Sequence, residues 1–170
     1  TLNGKVNAIY IDEAAKGTSA NNKVTIEGFD SLVMTGDGRY AVRNVGIGNQ
    51  AITLSGNKNS AITLTGARGA IFTGFKKDGE LIGNGSVSVT AGKVTLETTG
   101  IIEDDKQDGD KNSDFGIVHM QGGSVTINSD ELTIRPADSA TDWDANAFKL
   151  TKGELKINGT DGESPAVMNV

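Results

Sequence analysis

The chain has 170 residues, among them 23 Gly, 2 Pro and no Cys, with 5% aromatics and a formal net charge of −6. That length suits one domain or a segment of a longer protein; without Cys there is no disulfide scaffold or thiolate chemistry, and the acidic balance speaks against nucleic acid as a partner, because phosphate is held by clustered Lys and Arg. No apolar run reaches the ~18 residues of a transmembrane helix, and no basic-then-apolar leader opens the chain at Thr1, so any signal peptide is expected to lie upstream or to have been removed.

Short alternating runs broken by Gly, Asn and Asp fill the chain, with little helical spacing. The first is Ala8-Ile9, a small residue before an apolar one. Val24-Thr25-Ile26 follows, apolar then polar then apolar, and Leu32-Val33-Met34 comes next. The cycle restarts with Ala41-Val42, Ile52-Thr53-Leu54 and Ile62-Thr63-Leu64. A third pass reads Ala70-Ile71, Val87-Ser88-Val89 and Val94-Thr95-Leu96, with residues 74–85 inserted after its first strand. Residues 97–114 form a second insertion, after which come Gly116-Ile117, Val125-Thr126-Ile127 and Leu132-Thr133-Ile134. A third insertion, 135–146, precedes Ala147-Phe148, Leu155-Lys156-Ile157 and a final small-apolar pair at Ala166-Val167.

The strand order never changes, and one pass takes roughly 30 residues where nothing is inserted. An antiparallel sandwich also has short strands and frequent turns, but nothing in it demands a repeating three-strand order. The pattern therefore predicts an all-β fold, a right-handed parallel β-solenoid (β-helix) with three short strands per coil and about four to five coils. Two-residue alternation would place Ile26, Leu54, Val89, Ile127 and Ile157 in one interior row. Residues 1–170 are read as a single solenoid segment. Both ends remain strand-like, at Leu2–Val6 and Ala166–Val170, so the segment is expected to continue into a longer solenoid or to pair its ends with neighbouring chains.

Phrases such as Gly85-Ser86-Val87-Ser88-Val89-Thr90-Ala91-Gly92-Lys93-Val94-Thr95-Leu96 and Gly123-Ser124-Val125-Thr126-Ile127 give the chain a recognisable texture. From residue 4 to about 160 it resembles the β-helical passenger domains of bacterial autotransporters and related surface adhesins. The resemblance lies in texture and includes no catalytic or binding motif. It implies an extracellular or bacterial cell-surface scaffold, non-enzymatic, whose loops meet a surface protein, a glycan or another copy of the chain.

Two insertions carry chemistry. In the segment 97–114, Asp105, Asp108, Asp110 and Asp114 put hard oxygens on a Gly-containing turn, the donor type that Ca²⁺ prefers. The spacing is not that of an EF-hand, and a solvated acidic turn is the commoner outcome for such a loop. In the segment 135–146, the single tryptophan Trp143 lies between Asp142 and Asp144, where a ring face and two acceptors could receive a sugar. The favoured reading has the indole fold down over its own loop and bury a large apolar area there. The two insertions follow equivalent strands, so they are expected to be neighbours in space.

His119, the only histidine, is counted two residues beyond Ile117 and aligned with Ile11, Asn44, Thr73 and Leu150. There it reads as a core-edge side chain needing one hydrogen-bond partner, with no nucleophile beside it in sequence. Enzymatic polysaccharide cleavage, the alternative along with carbohydrate binding, needs paired carboxylates on a rigid surface or calcium-binding acids beside a base. Here the acids gather in loops, and Arg43 and Arg135 belong to no polysaccharide-enzyme motif. The outward positions Thr25, Thr53, Ser88, Thr126 and Lys156 in one family and Val33, Thr63, Thr95 and Thr133 in the other form brief ladders that would suit an ice-like surface, but Thr is also simply a good strand former.

Overall fold

The computed structural model describes residues 1–12, 22–47, 49–77, 80–100, 116–137, 146–161 and 167–169. Every regular element among them is a β-strand, and all but two strands stack in three parallel sheets. The first sheet runs β1 (Leu2–Gly4), β4 (Ser31–Gly36), β7 (Ala61–Gly66), β12 (Lys93–Thr98), β15 (Glu131–Pro136) and β18 (Val167–Asn169). The second runs β2 (Ile9–Ile11), β5 (Tyr40–Asn44), β8 (Gly69–Thr73), β13 (Gly116–Met120) and β16 (Asn146–Leu150). The third runs β3 (Lys23–Glu27), β6 (Ala51–Ser55), β11 (Ser86–Thr90), β14 (Ser124–Asn128) and β17 (Glu154–Asn158). The chain visits the sheets in that rotation, which makes it a parallel β-solenoid with three strands per coil.

The interior row expected from the sequence is present. Ile26 pairs with Leu54, Leu54 with Val89, Val89 with Ile127 and Ile127 with Ile157. A second row joins Leu32, Ile62, Val94 and Leu132. Alternation explains both rows, since period-two strands send every second side chain into the core. In the central coils these side chains are fully buried: Leu54, Val89 and Ile127 are each 0% exposed. At the ends, Ile9, Val24 and Ile26 on one side and Phe148, Leu155 and Ile157 on the other are only partly buried against the same core.

Tight corners are closed by small residues and buried amides. A Cβ on Gly92 would lie 1.8 Å from the backbone oxygen of Lys58, so only glycine fits that turn. Asn44, 0% exposed, donates from Nδ2 to the carbonyls of Gln50 and Ser86, while its Oδ1 accepts from the Gly46 N–H. Its polar atoms thus find partners where the second sheet turns into the third, which makes burial of a polar residue affordable.

Three expectations need correction. Val167 does not belong to the small-apolar strand of the second sheet: it pairs with Glu131, and Met168 pairs with Leu132, in the first. The preceding strand is β17 of the third sheet, and the rotation calls next for the first. The insertion 74–85 is not only loop, because β9 (Phe75–Lys77) and β10 (Glu80–Gly83) pair antiparallel as a hairpin. The alignment at Gly116-Ile117 is one residue out. Val118, rather than Ile117, pairs with Ile71 and with Phe148, so His119 stands beside Phe72 and Lys149, and Met120 takes the position beside Thr73. A one-residue slip moves every side chain to the opposite face.

Candidate binding face

The corrected register assembles one row along the second sheet. Tyr10 pairs with Arg43, Arg43 with Phe72, Phe72 with His119, and His119 with Lys149. Its neighbours Val42, Ile71 and Val118 point into the core, so this alternate row lies on the outer side, with one residue every ~4.8 Å along the solenoid axis. Of this row, Phe72 belongs to a second apolar cluster, separate from the core, in which Tyr40, Val45 and Phe72 are buried and Phe75 of the hairpin packs against them.

Aromatic geometry fixes the centre of this face. Phe72 lies between Tyr40, at 5.0 Å between ring centroids, and His119, at 4.9 Å and edge-on. Both separations fall in the range of favourable offset and T-shaped pairs. The Tyr40 hydroxyl and Nδ1 of His119 lie 3.0 Å apart. His119 is therefore a buried side chain with the hydrogen-bond partner its position demands, though in a different row from the one the sequence suggested.

Arg43 forms the charged part of the face. Its guanidinium carbon lies 5.0 Å from the centre of the Tyr10 ring and 5.3 Å from that of Phe72, so the cation is bracketed by two π faces. Nε is buried and has no hydrogen-bond partner, and no ion pair to Arg43 is formed among the described residues. Burial lowers the guanidinium pKa, with the neighbouring Tyr10 phenol acting in the opposite direction. An arginine so placed keeps its charge, because its unperturbed pKa lies far above neutrality. The nearby carboxylate of Asp12 accepts a hydrogen bond from the Tyr10 hydroxyl. Tyr10 itself is 44% exposed, so the row opens to solvent at the end where Arg43 is held.

The residues singled out from sequence lie elsewhere. Asp105, Asp108, Asp110 and Asp114, proposed for calcium, and Trp143, Asp142 and Asp144, proposed for a sugar, fall outside the described residues. The strands leading into their two insertions do sit side by side: Glu97 pairs with Arg135 and Thr98 with Pro136, and the Ala137 N–H donates to the Thr98 carbonyl at 2.8 Å. Arg135 also binds Glu97 through Nε and Nη2 at 3.1 and 2.9 Å, and Thr65 donates to the other carboxylate oxygen at 3.0 Å. Among the described residues no three His, Asp or Glu side chains gather as metal ligands would. Tyr10, Arg43 and Phe72 were missed as a group, although each directly follows the apolar member of its small-apolar pair.

No protein-family model matches the chain, and neither a curated protein nor a solved structure matches it.

Proposed function

We propose that this chain is a non-enzymatic binding segment of an extracellular or bacterial cell-surface protein, an adhesin-like solenoid that presents its outer face to a partner. The observation that supports this most is the exposed Tyr10 ring beside Arg43 on a stiff parallel frame, with no ion pair to Arg43 among the described residues. A solenoid suits this role because its core is formed by stacking alone, leaving the outer positions free for recognition. The resemblance to autotransporter passenger domains points the same way. An exposed ring beside a fixed cation favours a glycan as partner over an apolar surface, since sugars combine C–H faces with polar edges.

The test is binding of the purified chain to arrays of extracellular glycans and surface proteins, with reducing-end release followed in parallel. Saturable binding without cleavage, weakened by Tyr10→Ala, is the expected result. Turnover of any bound polysaccharide would make the protein an enzyme and overturn the proposal, as would an absence of saturable binding throughout.

A further inference from the structure

We infer that Arg43 is the carboxylate-recognising group of an acidic-sugar site on the outer face of the second sheet, a proposal that rests on the binding role just described and names its ligand class. The starting point is an imbalance of donors. A guanidinium carries five N–H donors in a planar fork and has no acceptor of its own. In Arg43 the buried Nε has no partner, and the cation is held by two rings, which attract it but accept no conventional hydrogen bond.

This arrangement is unusual for a purely structural arginine. Removing a charge from water is costly, and folded proteins normally offset it with an acid or carbonyl at hydrogen-bond distance. Here the desolvation of Nε is incurred in the free protein, with the guanidinium carbon held 5.0 Å from the Tyr10 ring centre and 5.3 Å from that of Phe72. A carboxylate reaching the two terminal nitrogens would meet a cation already held in place, the condition under which a bidentate pair binds best. The site is therefore organised for an anion before any arrives.

The surroundings favour a sugar as the carrier of that carboxylate. Tyr10 is 44% exposed and stands next to Arg43 in the row, so a pyranose ring could lie against the phenol while its carboxylate reaches the fork. The chain as a whole carries −6, so long-range attraction for a polyanion is absent and recognition depends on local contacts at Arg43.

The experiment follows the Arg43 side-chain Nε–H resonance, one of four in the chain, by nitrogen-edited NMR. Trigalacturonate, its neutral methyl ester, a sulfated neutral trisaccharide and a Glu-rich hexapeptide are titrated separately. The inference expects trigalacturonate to shift the Arg43 signal and the methyl ester to leave it in place. Arg43→Lys, which keeps the charge and loses the fork, should weaken trigalacturonate binding about tenfold. Should that variant fold poorly, Asp12→Asn provides a second arm, because removing the nearby negative charge should tighten binding about two- to threefold. If the ester shifts the signal as strongly as the acid, or Arg43→Lys binds trigalacturonate undiminished, Arg43 is not the carboxylate group, although the binding role stands. A response to the sulfated sugar alone or the peptide alone overturns the ligand class. If no probe moves any resonance and the glycan and protein arrays are also silent, both the inference and the binding role fail.

Discussion

The Tyr40 hydroxyl lies 3.0 Å from Nδ1 of His119, which is 79 residues further along the chain. Tyr40 begins β5 and His119 lies in β13, with β8 between them, so the contact spans two coil steps across Phe72. This pair ties three coils together on the outside of the solenoid. Tyr40→Phe removes only the hydroxyl and should destabilise the fold by about 1–2 kcal/mol, because a buried ring nitrogen loses a partner. Urea unfolding of the parent and the variant checks this, and an unchanged midpoint would show that the hydrogen bond adds nothing to stability.

The interior rows should show a gradient from the middle of the solenoid to its ends. Leu54 is 0% exposed with a strand on either side, whereas Ile26, in the same row, is only partly buried. Leu54→Ala is expected to cost about 2–5 kcal/mol, and Ile26→Ala clearly less, because a cavity at the edge can relax or admit water. Chemical denaturation of both variants provides the comparison. Equal losses would mean that the end coil is as tightly packed as the centre.

Glu97 connects neighbouring coils on the outer side of the first sheet. It accepts from Thr65 and from Arg135, and its side chain is 11% exposed against 48% for Arg135. Solvent screening of the arginine limits the pair to about 1 kcal/mol. A double-mutant cycle with Glu97→Gln and Arg135→Gln should return a coupling of that size, and it should shrink in high salt.

Asp130 gives a pH signature. Its Oδ1 accepts from both the hydroxyl and the backbone N–H of Thr160, at 2.7 and 3.0 Å, and these hydrogen bonds lower its pKa. A carboxylate depressed in the folded state contributes stability that is present above its unfolded pKa and lost as pH falls through the folded value. Carbon-detected NMR should find Asp130 titrating below an ordinary aspartate, and Thr160→Val should move it part of the way back. The backbone donor remains in that variant, so a complete return is not expected.

The sheets could be read from the sequence because period two and branched aliphatic residues write the interior rows directly, as in Ile26, Leu54, Val89, Ile127 and Ile157. The outer binding face could not, and the reason is local. Ala41-Val42 and Ala70-Ile71 are small-apolar pairs, so Gly116-Ile117 looks like the next in series. In the fold the matching residues are Ile117-Val118, with a large side chain where the other coils carry Ala. Hydrophobicity alone cannot resolve that one-residue choice, and it decides whether His119 lines up with Thr73 or with Phe72. The pair Ala166-Val167 was misplaced for another reason: it looks like the next small-apolar pair, and only the rotation of the sheets, which calls for the first sheet after β17, assigns Val167 there. By contrast, the pairing of β12 with β15, the strands that lead into the two acidic insertions, was foreseeable, because it follows from counting strands.

The register that builds the binding face can be tested on a single side chain. His119 is the only histidine, so its ring protons are assigned without ambiguity. With ring centroids 4.9 Å apart, a nuclear Overhauser spectrum should show cross-peaks from the imidazole of His119 to the ring of Phe72. Cross-peaks to the methyl group of Thr73, with none to Phe72, would shift β13 by one residue and dissolve the row from Tyr10 through Arg43 to His119.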